Sequence, residues 1–167
     1  MGLKQDVKAL RGWATILGKR VYRDPAVPGV QATYHLFTIA GGLVLVTSLI
    51  GEVVTGPLEN VATTIRLSAN PDVGAAVFLD DGTLSVQAAA VGALIYIPDV
   101  NTTPLRLANA VVGAVDVADV YSPRLKVFVA QTGTIDVLIA AQDSEEGTWS
   151  WTLHYIPIDQ YASVVAA

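Results

Sequence analysis

Beyond Val30 the chain is a series of short apolar runs that alternate with polar positions, separated by turn residues. The clearest run is Thr148 to Ile156. Trp149, Trp151, Leu153 and Tyr155 fall on one face and Thr148, Ser150, Thr152 and His154 on the other, the period-two signature of a half-buried strand. The bulky face reads as core, with an exposed sugar-binding platform as the alternative. Thr33–Ala40 and Leu43–Leu49 flank Gly41-Gly42 and read as a hairpin, with Glu52–Thr55 extending its second strand. Thr63–Ser68 is a further strand. Ala75–Leu79 and Thr83–Ala88 around Asp80-Asp81-Gly82 read as a second hairpin, and Leu125–Ala130 and Thr134–Ala140 around Gln131-Thr132-Gly133 as a third. Ala93–Ile97 forms a strand ending at Pro98. Leu105–Leu107 and Val111–Val117 read as strands in an Ala-rich stretch equally compatible with helix, and Asp159–Ala167 as an apolar tail.

Helical periodicity occurs at the start of the chain. Leu3, Val7, Leu10, Ala14 and Leu17 recur three or four apart, with Trp13 and Ile16 nearby, which predicts a helix over Leu3–Val21. Asp24-Pro25 to Pro28-Gly29 then reads as a linker. The expected organisation is a helical arm and linker over residues 1–29 and a β-sandwich body over 30–167. The fold class is all-β, a β-sandwich or jelly-roll-like body with a short N-terminal helical arm.

Composition sharpens this picture. Over 167 residues, 52% are apolar and only 15% charged, where soluble domains average about 25% charged. So few charges leave surface for permanent contacts with other subunits, so a homo-oligomer is expected. There is no cysteine, which removes disulfides and thiolate metal sites. The uncharged run Pro25–Gly51 contains Leu36–Ile50, too short to span a bilayer comfortably, and reads as two buried strands. No continuous apolar stretch of a signal peptide stands at the start. The net charge of −5 is unevenly placed: residues 1–24 hold six basic and two acidic groups, a net +4, and the rest holds four basic and thirteen acidic, a net −9. A basic arm on an acidic body points to docking on an acidic surface, or to an ordinary solvated helix face. Leu3, Lys4, Val7, Lys8, Leu10, Arg11, Leu17, Lys19 and Arg20 are the candidate partner-binding residues. The acidic body argues against nucleic acid, and no membrane partner is expected.

Catalytic motifs are missing: no GxSxG, P-loop, HExxH or GxGxxG between strand and helix. His35 and His154, each on an expected strand, need a carboxylate and each other to make a dyad or a metal site. Asp80-Asp81 reads as turn chemistry and Glu145-Glu146 as a polar loop, and the spaced oxygen ligands of a Ca²⁺ loop are absent. No catalytic residue, cofactor or metal is expected, and the chain reads as a non-enzyme.

Thr33-Tyr34-His35-Leu36-Phe37-Thr38-Ile39-Ala40-Gly41-Gly42, followed by Ile50-Gly51-Glu52-Val53-Val54-Thr55, resembles the opening of small β-rich virion proteins of tailed phages. Gly147-Thr148-Trp149-Ser150-Trp151-Thr152-Leu153-His154-Tyr155-Ile156-Pro157 is similar to their closing strand. The likeness spans roughly residues 33–165 and carries over no functional residue. It implies a virion protein assembled in the host cytoplasm. The favoured role is a capsid decoration (cement) protein that forms a homotrimer and binds the major capsid protein or other virion proteins. A tail or head-fibre component contacting the host, or a carbohydrate-binding β-sandwich module, is the alternative.

Overall fold

The computed structural model describes residues 18–26, 33–55, 64–80, 82–86, 89–97, 106–108, 125–140 and 147–167. The regular elements among them are all strands: β1 (Lys19–Ala26), β2 (Thr33–Ala40), β3 (Val44–Thr55), β4 (Thr64–Pro71), β5 (Val77–Phe78) and β6 (Leu84–Ser85). They continue with β7 (Leu94–Tyr96), β8 (Arg106–Ala108), β9 (Phe128–Ala130), β10 (Gly133–Ala140), β11 (Thr148–Pro157) and β12 (Ser163–Ala166). They build two antiparallel sheets. The first runs β1-β11-β3-β7-β8, with β9 also on the edge of β3; the second runs β12-β2-β10-β4-β5, with β6 also on β4.

The alternation read from the sequence sets the core. In β11, Trp149, Trp151, Leu153 and Tyr155 are all buried, Trp151 to 1% exposure. They pack with Leu36, Phe37 and Ile39 of β2, Ile135 and Val137 of β10 and Ile65 and Leu67 of β4 in one cluster shared by both sheets. The aromatic strand is therefore core, and a sugar platform on these tryptophans is ruled out. Two bulges keep the apolar phase. Tyr155 pairs with Val46 and His154 with Ser48, so Thr47 is the extra residue, and both Val44/Val46 and Leu49/Val53 face inward. Leu36 is the extra residue in β2, which buries Leu36 and Phe37 together. Gly51 lies opposite Trp151, and a β-carbon there would meet the indole ring at 2.9 Å. The ring occupies the space a side chain would take.

The three expected hairpins are corrected. β2 belongs to the second sheet and β3 to the first, so Gly41-Gly42 carries the chain from one sheet to the other. Both glycines have positive φ, and β-carbons on them would strike the Tyr161 carbonyl and the Asp159 carboxylate. Gln131-Thr132-Gly133 likewise joins β9 in the first sheet to β10 in the second. β5 and β6 do not pair with each other. Both run antiparallel along β4, with the register advanced by three residues between them: Ala69 lies opposite Val77 and Ile65 opposite Leu84. Between them the Asp80 carboxylate accepts the Leu67 N–H at 2.8 Å, while the Leu79 N–H donates to the Leu67 carbonyl at 2.9 Å. Asp80 thus fills a gap in an edge strand with its side chain, which is why an acidic residue suits this position.

The start of the chain also differs. Lys19–Val21, expected as the end of a helix, and Asp24–Ala26, expected in the linker, form β1 on β11. Val21 packs on the core while Tyr22 points outward. This is strand alternation, which the helical spacing before it obscured. Asp24-Pro25 sits where the register shifts between Arg23 and Ala26, and an edge strand tolerates the missing proline N–H there. Residues 1–17 and 27–29 of the expected arm and linker lie outside the described residues, as do Val111–Val117. Part of the expected apolar tail is β12, paired with β2. Among the described residues no helix is long and apolar enough to cross a membrane.

Candidate interaction surface

The outer face of the first sheet is set by the residues that alternate with the core positions. Its rows run across the strands. Ile156 stands beside Leu45 and Leu45 beside Val129; Tyr22 stands beside Thr152, Thr152 beside Ile50, and Ile50 beside Tyr96. Val127 and Val129 are 52% and 57% exposed. Between the apolar rows runs a polar one: Arg20 opposite His154, and His154 opposite Ser48. Ser48 Oγ lies 2.8 Å from His154 Nδ1, and the two share a hydrogen bond. Partial burial, and then the charge of Arg20, hold the His154 imidazole below its ordinary pKa of 6.5.

This shift has a defined sign. The folded state resists protonation of His154 more than the unfolded chain does, so the unfolded state binds more protons below pH 6.5. The stabilisation is present above that pH and is lost as pH falls through the folded value. Urea midpoints measured from pH 8 to pH 5 are expected to fall less steeply for His154→Gln than for the unsubstituted chain. Parallel curves would mean that His154 does not contribute.

The second sheet presents a different outer face. Asp136 of β10 is buried and accepts a hydrogen bond from His35 Nδ1–H at 2.8 Å, the carboxylate fixing which ring nitrogen donates. Arg66 donates from Nε to Asp80 Oδ1 at 3.0 Å and lies 3.6 Å above the Phe78 ring. His35 therefore does meet a carboxylate, 101 positions away in sequence. The two histidines nonetheless stand on opposite outer faces with the core between them, so they do not converge on one substrate. Ser48 and His154 have no carboxylate among their described partners, and no group of three or more His, Asp or Glu among the described residues could hold a metal ion.

Where the sheets part, between β5 and β9, the surface opens into an apolar groove of about 390 Å³ lined by Leu43, Ala69, Val77, Phe78, Phe128 and Val129, with Pro71 and Gln131 at one end. Lys126 also borders it, but its Nζ donates to the Leu79 carbonyl at 2.8 Å. The adjoining corner gathers the sheet crossings: Gly42 N–H donates to Thr132 Oγ1 at 3.1 Å, and Leu43 N–H to Asp159 Oδ2 at 2.7 Å. Asp72 and Asp159 are exposed there.

Of the candidate partner-binding residues, Lys19 and Arg20 lie on β1, exposed at the edge of the first sheet. Leu3, Lys4, Val7, Lys8, Leu10, Arg11 and Leu17 lie outside the described residues. The sequence gives no sign of the groove, whose lining comes from three separate stretches of chain. The one local signal is the run of outward valines at Val127 and Val129. No family model, curated protein or solved structure matches this chain.

Proposed function

We propose that this protein is a structural subunit of a tailed-phage virion, acting as a capsid decoration protein that forms a trimer on the outer surface of the head. The observation that carries the reading is the strand connectivity. We read the order β1-β11-β3-β7 opposite β2-β10-β4-β5 as that of an eight-stranded jelly roll, with β8 and β12 added at the edges. Jelly rolls recur in viral capsid and lectin domains. With Trp149 and Trp151 in the core, the capsid branch of that pair is the better supported. The low charge content and the outward Ile156–Leu45–Val129 row supply surface for permanent subunit contacts. The likeness of the opening and closing strands to phage virion proteins agrees with this.

The test is to mix the purified protein with phage heads that lack it, sediment them and compute a density map. Bound protein is expected at threefold positions on the head exterior, with sedimentation equilibrium giving a trimer or its stable precursor. Density confined to the tail would favour the fibre reading, and a monomer that stays in the supernatant would overturn the proposal.

A further inference from the structure

The edge strand β1 turns a cation toward the interior. Val21 packs on the core, and Arg23, opposite Trp151, faces the same way. Across the gap the second sheet supplies Tyr34, Leu36 and Val137. With Ala26, Trp149 and Trp151 these residues line a cavity of about 20 Å³, room for one water-sized occupant. Two donors at this cavity are unmatched. The Trp149 indole is 3% exposed, and its buried Nε1–H has no acceptor among the described residues. A buried N–H in that position calls for a partner. Arg23 donates from Nε to the Ala167 carbonyl oxygen at 3.2 Å, which leaves most of its guanidinium N–H groups unused.

The charge at the cavity is also unmatched. Among the described residues Arg23 has no Asp or Glu partner. Asp136, next to Val137 on β10, belongs to the outer face of its sheet and is bound by His35. Partial burial lowers the Arg23 pKa, the sign of a guanidinium short of water, yet it stays charged at neutral pH. The lining decides what kind of occupant fits. Its polar side chains are the guanidinium, the indole N–H and the Tyr34 phenol, with no carboxylate or amide among them. A water molecule there would receive hydrogen bonds, but the phenol oxygen would be the only side-chain acceptor for its own protons. A small anion needs donors alone, and its charge offsets that of Arg23.

We propose that this cavity binds a single small monovalent anion of the size of chloride, held between the Arg23 guanidinium and the Trp149 Nε1–H. The bound ion neutralises a cation that faces the core and holds β1 against β11. The site does not depend on the virion reading.

The test uses the full-length, nitrogen-15-labelled protein in sodium gluconate, whose anion is too large for the cavity, with chloride replacing gluconate at constant ionic strength. Trp13, Trp149 and Trp151 each carry an indole N–H, and Trp149→Phe identifies the Trp149 signal by its loss. That signal is expected to shift saturably as chloride rises, and the Trp151 signal to move less. Arg23→Gln should raise the half-saturating chloride concentration about tenfold or more, through loss of a charged hydrogen-bond donor. Melting temperature is the second readout. It should rise with chloride for the unsubstituted chain and rise less for Trp149→Phe, a comparison that decides the matter alone if Arg23→Gln fails to fold. A Trp149 signal and a melting temperature indifferent to the exchange would leave the cavity to water and overturn the proposal. So would a chloride response of undiminished size in the variants, which would place the ion elsewhere.

Discussion

Trp151→Ala is expected to cost about 3–5 kcal/mol, the usual range for emptying a buried aromatic site. For a domain of this size that corresponds to a fall in melting temperature of about 6–20 °C. The site has little room to collapse. The Trp151 ring covers Gly51 across the β3–β11 pair, and the Trp149 ring is 6.3 Å away at a 48° tilt. The neighbouring cavity is already bounded by Arg23, Tyr34, Leu36 and Val137 from three other strands. Truncation would join that space to the hole left by the indole. Thermal melting followed by near-ultraviolet circular dichroism checks it, and a midpoint shifted by less than a degree or so would show that the ring contributes little to the core.

Asp80→Ala is the second large effect, expected at about 3 kcal/mol, because removing one partner of a buried pair strands the other. The loss is concentrated. Leu67 N–H loses its acceptor in the interior, and Arg66 Nε loses its carboxylate while its stem still lies over Phe78. Arg66 is partly exposed and can rehydrate, which keeps the cost at the lower end of the range for buried pairs. Asp80→Asn retains an acceptor for Leu67 and should fall between the two. Amide exchange at Leu67 discriminates: it should quicken in the alanine variant well beyond the global loss of stability. Exchange that tracks global unfolding alone would show that the carboxylate does not bridge the edge strand.

Strand positions were legible in the sequence to a greater degree than strand partners. The period-two text of Thr148–Ile156 places Trp149, Trp151, Leu153 and Tyr155 in the core correctly, because burial on one face leaves a local trace. Gly41-Gly42 and Gln131-Thr132-Gly133 mark real reversals, but a turn signal says only that the chain bends. Whether the next strand joins the same sheet or the facing one is decided by packing between residues far apart. β1 was hidden by helical spacing that runs up to its first residues, and β12 by its brevity. The His35–Asp136 pair and the groove have no local signature, since each is assembled from segments far apart in the chain.

The repeated crossing between sheets also dictates when the molecule can form. β3 and β2, made early, take β11 and β10 as their long partners, and both arrive late in the chain. At synthesis rates of about 5–20 residues per second, β3 waits about 5–20 seconds for β11. Until then its Val/Leu-rich edge stays short of its longest partner. Closing contacts over such separations is slow, so during synthesis this chain is at its most exposed to aggregation, and the final strands act as the switch that ends the exposure.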